Sequence, residues 1–367
     1  MSKAAELAAL IGSQSALSNR NLIINGAMQV AQRSQSRTGR VTSDYYIADR
    51  WKIDLNSLGT WSFSQSSTAP DGFANSYKLD CTTADASPAA GDYLILQQRF
   101  EGQNLQMLKK GTSAAESVTV SFYIRSSVTG TYTCELYDDD NGRYIGKTFT
   151  VDAANTWERK TITFPGDTTG TLDDDNALSF FCQIWFGAGS NFNGGTFNNG
   201  TWGAGGNNTR VSSSNVNLAS STSNEAYVTG WQMEIGEQAT PFEHRSFADE
   251  LARCQRYCYV RGGEAAYELF MIATANGSAT CTGVVQAPVK MRTRPTHSIS
   301  STANIDLYDF DGSAHRTLSG SGSLISSISS SSYIYIDWTT SGVTSGANMM
   351  VRANNTTDAR FTLDAEL

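Results

Sequence analysis

From Ser117 to Ile124 the chain reads SVTVSFYI, with apolar side chains at Val118, Val120, Phe122 and Ile124 and polar ones between them. A period of two sends one set to each face of an extended strand. The same alternation runs through Thr131–Tyr137, Tyr144–Val151, Trp157–Phe164, Ala177–Phe186 and Ala226–Ile235, separated by turn-rich stretches such as SSVTG and DDDNG. No amphipathic helix intervenes, which predicts antiparallel strands in two packed sheets. Residues 21–245 therefore read as a jelly-roll β-sandwich. The pattern returns after Arg261 in YELFMIATA, ATCTGVVQAP, NIDLYDF, SYIYIDW and DARFTLDAEL. It predicts a smaller C-terminal β-sandwich over 261–367, with the Ser-rich tract Ser319–Ser332 as a loop or weak edge strand. The fold class is mainly all-β.

Two segments carry helical spacing instead. In Ser2–Leu17, Leu7, Leu10 and Ile11 fall on one face at i, i+3 and i+4. A helix shorter than about 12–15 residues is marginal alone in water, so this face needs a partner surface. Residues 1–20 accordingly read as a short helix that docks onto another protein or bundles with its own copies, with a frayed terminus as the alternative. Ser246–Tyr259 is the second segment, a linking helix within 246–260. Asp249 and Glu250 lie early in it and Arg253 and Arg256 late, which complements the helix dipole, and Gly262 and Gly263 follow.

One connection is far too long for an ordinary loop. Gly187–Ser223 is rich in Gly, Asn and Ser, yet it carries Phe192, Phe197 and Trp202. Flat aromatic faces bind sugar rings by apolar contact, and Asn side chains both donate to and accept from hydroxyls. These three rings are the candidate glycan contacts. The alternative is that they fold back and pin the loop onto the sandwich or a neighbouring subunit.

Composition removes several function classes. Of the 367 residues only 17% are charged and the formal net charge is -8, with no basic run. Phosphate-backbone affinity needs clustered Lys and Arg, so neither nucleic acid nor an anionic membrane is expected as a partner. No run of about eighteen apolar residues occurs, and the N-terminus has no apolar signal core with a cleavage site, so the chain is expected to be made and folded in a cytoplasm without membrane insertion. Six scattered cysteines read as reduced, buried thiols rather than a disulfide framework.

Candidate chemistry is sparse. His244, His297 and His315 fall in no ligand pattern, and Cys254 with Cys258 reads as a helix burying two thiols rather than a zinc site. No GxSxG, Walker or dinucleotide motif appears, so no catalytic residue, no metal and no cofactor is assigned. Glycan cleavage would need a pair of carboxylates, for which Asp44 and Asp49 are the candidates. The acidic turns Asp138–Asp140 and Asp173–Asp175 read as hairpin turns, with calcium as the alternative.

Three blocks resemble tail-fibre and minor structural proteins of tailed bacteriophages. They are NLIINGAMQVAQR at Asn21–Arg33 with YIADRW at Tyr46–Trp51, then GWQMEIGEQATPFEHRSFADELARCQRY at Gly230–Tyr257, and VKMRTRPT at Val289–Thr296 with the ending FTLDAEL. The resemblance implies a carbohydrate-binding-module-like jelly roll, an N-terminal piece that joins other virion proteins, and a distal domain that trimerises and contacts the host. It implies a virion protein, a short tail fibre or fibre-like adhesin touching host surface polysaccharide at the C-terminal tip or, second, at the Gly187–Ser223 loop. A capsid or tail decoration with a purely structural role is the alternative.

Overall fold

The computed structural model describes residues 19–310, 315–320, 322–325 and 327–367. Leu7, Leu10 and Ile11, the expected anchoring face, lie outside them. The chain forms two compact units, the first running to Glu250 and the second from Leu251 to Glu366.

In the first unit the described strands are β1 (Ser36–Arg40), β2 (Trp51–Asn56), β3 (Thr60–Ser66), β4 (Ser76–Thr83), β5 (Tyr93–Glu101) and β6 (Val118–Ser126). They continue with β7 (Gly130–Asp138), β8 (Arg143–Val151), β9 (Glu158–Phe164), β10 (Leu178–Ala188), β11 (Gly203–Ala204) and β12 (Glu225–Ile235). All pair antiparallel in two six-stranded sheets, ordered β1-β3-β4-β12-β6-β9 and β11-β8-β7-β10-β5-β2. The expected jelly-roll sandwich is present. Its core is the inward set of each alternation, including Phe122 and Ile124 from β6, Tyr132 and Leu136 from β7, and Trp51 and Trp231, whose rings meet at 4.7 Å.

β10 departs from simple alternation because it is buried on both faces. Phe180, Cys182, Ile184 and Phe186 enter the core, while Phe181, Gln183 and Trp185 face outward and are buried as well. A near-continuous apolar run is the sequence mark of such two-sided burial.

Asn21–Arg33 and Gly230–Glu250 meet in this unit. Leu22 donates its N–H to the Met233 carbonyl at 2.9 Å and Trp231 donates to the Gly26 carbonyl at 3.0 Å, so the first block lies along β12. The Asn25 side chain donates to the Val30 and Asp49 carbonyls, its oxygen accepts from the Val30 N–H, and its own carbonyl accepts from the Trp51 indole. A Cβ at Gly26 would stand 2.1 Å from the Trp231 carbonyl oxygen, so only glycine admits this approach. Glu250 accepts from the Asn25 N–H at 2.6 Å, tying the start of the linking helix to the same knot.

That helix is Phe247–Gln255, shorter than the expected Ser246–Tyr259. Cys258–Arg261 forms β13 instead, because it hydrogen-bonds along Phe361–Asp364. The second unit continues with β14 (Leu269–Ala275), β15 (Thr280–Gln286), β16 (Thr296–Ile299), β17 (Ile305–Asp309) and β18 (His315–Thr317). Its remaining strands are β19 (Ser323–Leu324), β20 (Tyr333–Thr339), β21 (Asn348–Ala353) and β22 (Phe361–Asp364). A three-stranded sheet, β13-β22-β16, accompanies a seven-stranded one, β18-β17-β21-β14-β15-β20-β19. Both contribute to a core around Trp338, Phe361 and Met349. The expected weak strand in the serine tract is the two-residue edge strand β19. On the outer face of the seven-stranded sheet Ile272, Val284 and Tyr333 remain exposed.

Candidate functional site: an aromatic and amide groove on one sheet

The outward side chains of β2, β5, β10 and β7 fall into rows set by strand register. Gln97 on β5 stands opposite Gln183 on β10, and Gln183 opposite Glu135 on β7. In the next row Phe181 stands between Arg99 and Tyr137, and Tyr137 opposite Tyr144 of β8. Trp185 pairs with Ile95, which pairs with Asp54 of β2. Together with Tyr93, Asp139 and the loop residues Phe192, Asn207 and Arg210, these line an open groove of about 380 Å³.

Rings form its two walls. Tyr93, Trp185 and Phe192 meet at one end, with centroids 5.1 Å apart for Tyr93–Phe192 and 5.3 Å for Trp185–Phe192. Tyr137 packs edge-on against Phe181 at 5.4 Å on the other, with the Arg99 guanidinium over Phe181 at 5.0 Å. A polar strip crosses the floor between them. The Gln183 amide and the Trp185 indole donate to Glu135, while the Gln97 amide and the Tyr93 hydroxyl donate to Asp54.

Arg210 fixes the long loop to this floor. Its guanidinium gives Glu135 two charge-assisted bonds of 2.8 and 3.0 Å and lies over the rings of Tyr137 and Trp185 at 4.6 and 5.2 Å. Desolvation works against its charge, but Glu135 outweighs that and raises the Arg210 pKa above its ordinary value. Burial likewise pushes the Tyr93 and Tyr137 hydroxyls up. Partial burial pushes the Asp139 carboxyl up; Arg99 pulls it down, and Asp140 and Asp138 push it up again.

The three rings expected to meet a glycan are separated by the fold. Phe192 is half-buried in the groove wall. Phe197 lies over Gly146 of β8, where a Cβ would stand 2.5 Å from its ring. Trp202 sits beyond the groove, its indole donating to the Pro165 carbonyl at 2.7 Å and its face 5.4 Å from the Lys110 ammonium. Sequence reasoning missed Tyr93, Tyr137, Phe181, Trp185, Gln97 and Gln183, which come from three strands and share no local motif. One signal existed: Gln183 and Trp185 are the outward residues of a strand too apolar to face water.

The acidic turns meet a different cation. The Lys110 ammonium lies 2.5 Å from Asp138 and 3.1 Å from Asp167 and donates to the Thr169 and Gly170 carbonyls at 2.9 Å. Asp140 accepts from the Asp173 N–H, and Asp175 from the Ala177 N–H, as turn residues do. Among the described residues no group of three or more His, Cys, Asp or Glu is arranged to hold a metal ion, and no helix is long and apolar enough to cross a membrane. Asp49 is buried, accepting from Gln32, whereas Asp44 is exposed and caps the Tyr45 N–H.

Fold and groove together define a jelly-roll β-sandwich with an open, ring-walled furrow on one sheet. No protein-family model and no curated protein matches the chain. Among solved structures it is similar to the enzymatically active domain of tailspike protein 4 of bacteriophage CBA120, at 11% identity and TM-score 0.30 over 59% of this chain. That match spans 22% of the tailspike chain. It is also similar to TmCBM61, solved with beta-1,4-galactotriose, at 10% identity, TM-score 0.29, 59% of this chain and 100% of that one. A putative sugar binding protein from Bacteroides thetaiotaomicron matches at 11% identity and TM-score 0.31, covering 59% of this chain and 100% of that one. Scores this low carry no functional argument, which must come from the groove itself.

Proposed function

We propose that the chain is a glycan-binding attachment protein of a tailed phage, a short tail fibre or fibre-like adhesin, and that it binds host surface saccharide in the sheet groove. The observation that carries the binding role is the coexistence of ring walls with an amide and carboxylate floor. Rings take the apolar faces of pyranoses, and the floor takes their hydroxyls. The phage assignment is supported by the sequence blocks, the first two of which form the knot beside β12.

Binding without cleavage is part of the same proposal. Asp54 lies on β2 and Asp139 just past the end of β7, three strand places away, so their backbones stand at least about 14 Å apart at the usual strand spacing. Glycoside hydrolysis wants two carboxyls about 5–9.5 Å apart. Glu135 is committed to Arg210, Gln183 and Trp185. Self-association, the proposed homotrimer, would cover the exposed Ile272, Val284 and Tyr333 and strengthen weak single-site contacts by avidity.

The test is binding of the purified chain to a panel of bacterial surface saccharides, with competition against phage adsorption. Saturable binding that Tyr93→Ala weakens about tenfold supports the reading. Binding to no saccharide sinks it, and release of reducing ends refutes the non-enzymatic part.

A further inference from the structure

We infer that the groove selects an uncharged saccharide through its hydroxyl donors, and that Asp139 is the group that turns anionic sugars away; this rests on the glycan-binding reading of the groove. A carboxylate only accepts hydrogen bonds, so Asp54 and Glu135 orient the neighbouring amides with their nitrogens toward the acids. The Gln97 Nε2 goes to Asp54 at 3.2 Å and the Gln183 Nε2 to Glu135. Their Oε1 atoms are left as acceptors without a protein partner among the described residues. The Asp139 carboxylate, exposed at the rim, makes no hydrogen bond or ion pair among the described residues, with Arg99 as a nearby cation.

The cations of the groove are occupied, by contrast. Arg210 is committed to Glu135, and Arg99 lies over Phe181 and donates an Nη1–H to the Leu367 carbonyl at 3.0 Å. Lys52, the next cation along β2, lies over the Tyr45 ring at 5.8 Å. The two amide oxygens and the Asp139 carboxylate are acceptors matched to a ligand offering O–H groups, beside the Tyr137 hydroxyl and the Asn207 amide, which can also donate. The lining carries Asp54 and Asp139 with Arg99 and Arg210, Glu135 lies buried beneath Arg210 and holds it, and a uronate or sulfated sugar entering here would meet the exposed carboxylate of Asp139. Such like-charge contact is how a site rejects a wrong partner.

The experiment compares matched neutral and uronate-containing oligosaccharides by calorimetry with the full chain, at low and high salt. Neutral sugars are expected to bind at least about tenfold more tightly at low salt, with the gap narrowing as salt screens the repulsion. The near-isosteric Asp139→Asn should shrink the ratio of the two affinities. A uronate preference in the native chain, or a ratio unmoved by Asp139→Asn, overturns this inference while leaving glycan binding intact. Binding to neither class withdraws it together with the reading beneath it.

Discussion

Arg210 and Glu135, 75 residues apart in sequence, form a two-bond ion pair that clamps the Gly187–Ser223 loop to the strand face beneath it. The Glu135 side chain is fully buried and that of Arg210 is 15% exposed. Arg210→Ala leaves a buried carboxylate without its cation, a change that costs about 3–5 kcal/mol. Arg210→Lys is not expected to rescue it, since an ammonium cannot reproduce the planar fork. Denaturant unfolding measures both variants, and equal stability of wild type and Arg210→Ala would dismiss the clamp.

Groove rings and loop-pinning rings should separate experimentally. Tyr93→Ala and Phe192→Ala each remove a wall and are expected to weaken saccharide binding about tenfold, the equivalent of about 1.4 kcal/mol. Phe197→Ala and Trp202→Ala should lower stability by about 1–2 kcal/mol and leave affinity alone, because neither ring lines the groove. Affinity lost in Trp202→Ala with Phe192→Ala unaffected would reverse the assignment.

The segment Asn21–Arg33 should behave as a structural clasp. Gly26→Ala forces a methyl toward the Trp231 carbonyl, and overpacking of this kind costs about 1–3 kcal/mol. Asn25→Ala strips the bonds that hold Val30 and Asp49 together. Thermal melting of both variants should show the loss, with saccharide affinity per folded molecule retained.

Lys110 takes the place that a divalent cation would occupy between Asp138 and Asp167. The stability of the chain should therefore be insensitive to chelators, whereas Lys110→Met should destabilise it by about 3–5 kcal/mol through two carboxylates left without their ammonium. Melting curves with and without chelator decide the point.

Acid should unfold the first unit through carboxylates whose folded pKa lies low. Desolvation raises Glu243, but the Asn21 and Asn19 N–H groups and the charge of Arg245 outweigh it. Glu225, held by Lys78 and the Tyr227 hydroxyl, and Asp167, held by Arg143 and Lys110, are likewise lowered against desolvation. A depressed pKa stabilises the fold above the unfolded value and loses that contribution as pH falls through the folded one. The loss should thus appear below pH 4.5, the ordinary glutamate value, and continue below 3.8 for Asp167. Asp138 acts in the opposite sense, because burial raises its pKa despite Lys110, so it gains stability on protonation. Glu243→Gln should flatten the acid limb of a stability-against-pH curve; an unchanged limb would show that Glu243 does not contribute.

Sequence alone determined the two-sheet class and six strands of the first sandwich, from Val118–Ser126 through Glu225–Ile235, because alternation is a local property of neighbouring residues. It missed β21, the strand between β17 and β14, since Asn348–Ala353 reads NMMVRA with apolar Met350 on the outward face as well. The Ser246–Tyr259 helix was shortened by a partner strand that lies about a hundred residues later. Only the tertiary structure decided the groove. Tyr93, Gln97, Tyr137, Gln183 and Trp185 become neighbours through strand order and register, which no local pattern encodes. Tertiary packing likewise sorted the three loop rings, because the position of each depends on what waits across the sheet: Trp185 for Phe192, the bare backbone of Gly146 for Phe197, and Lys110 for Trp202.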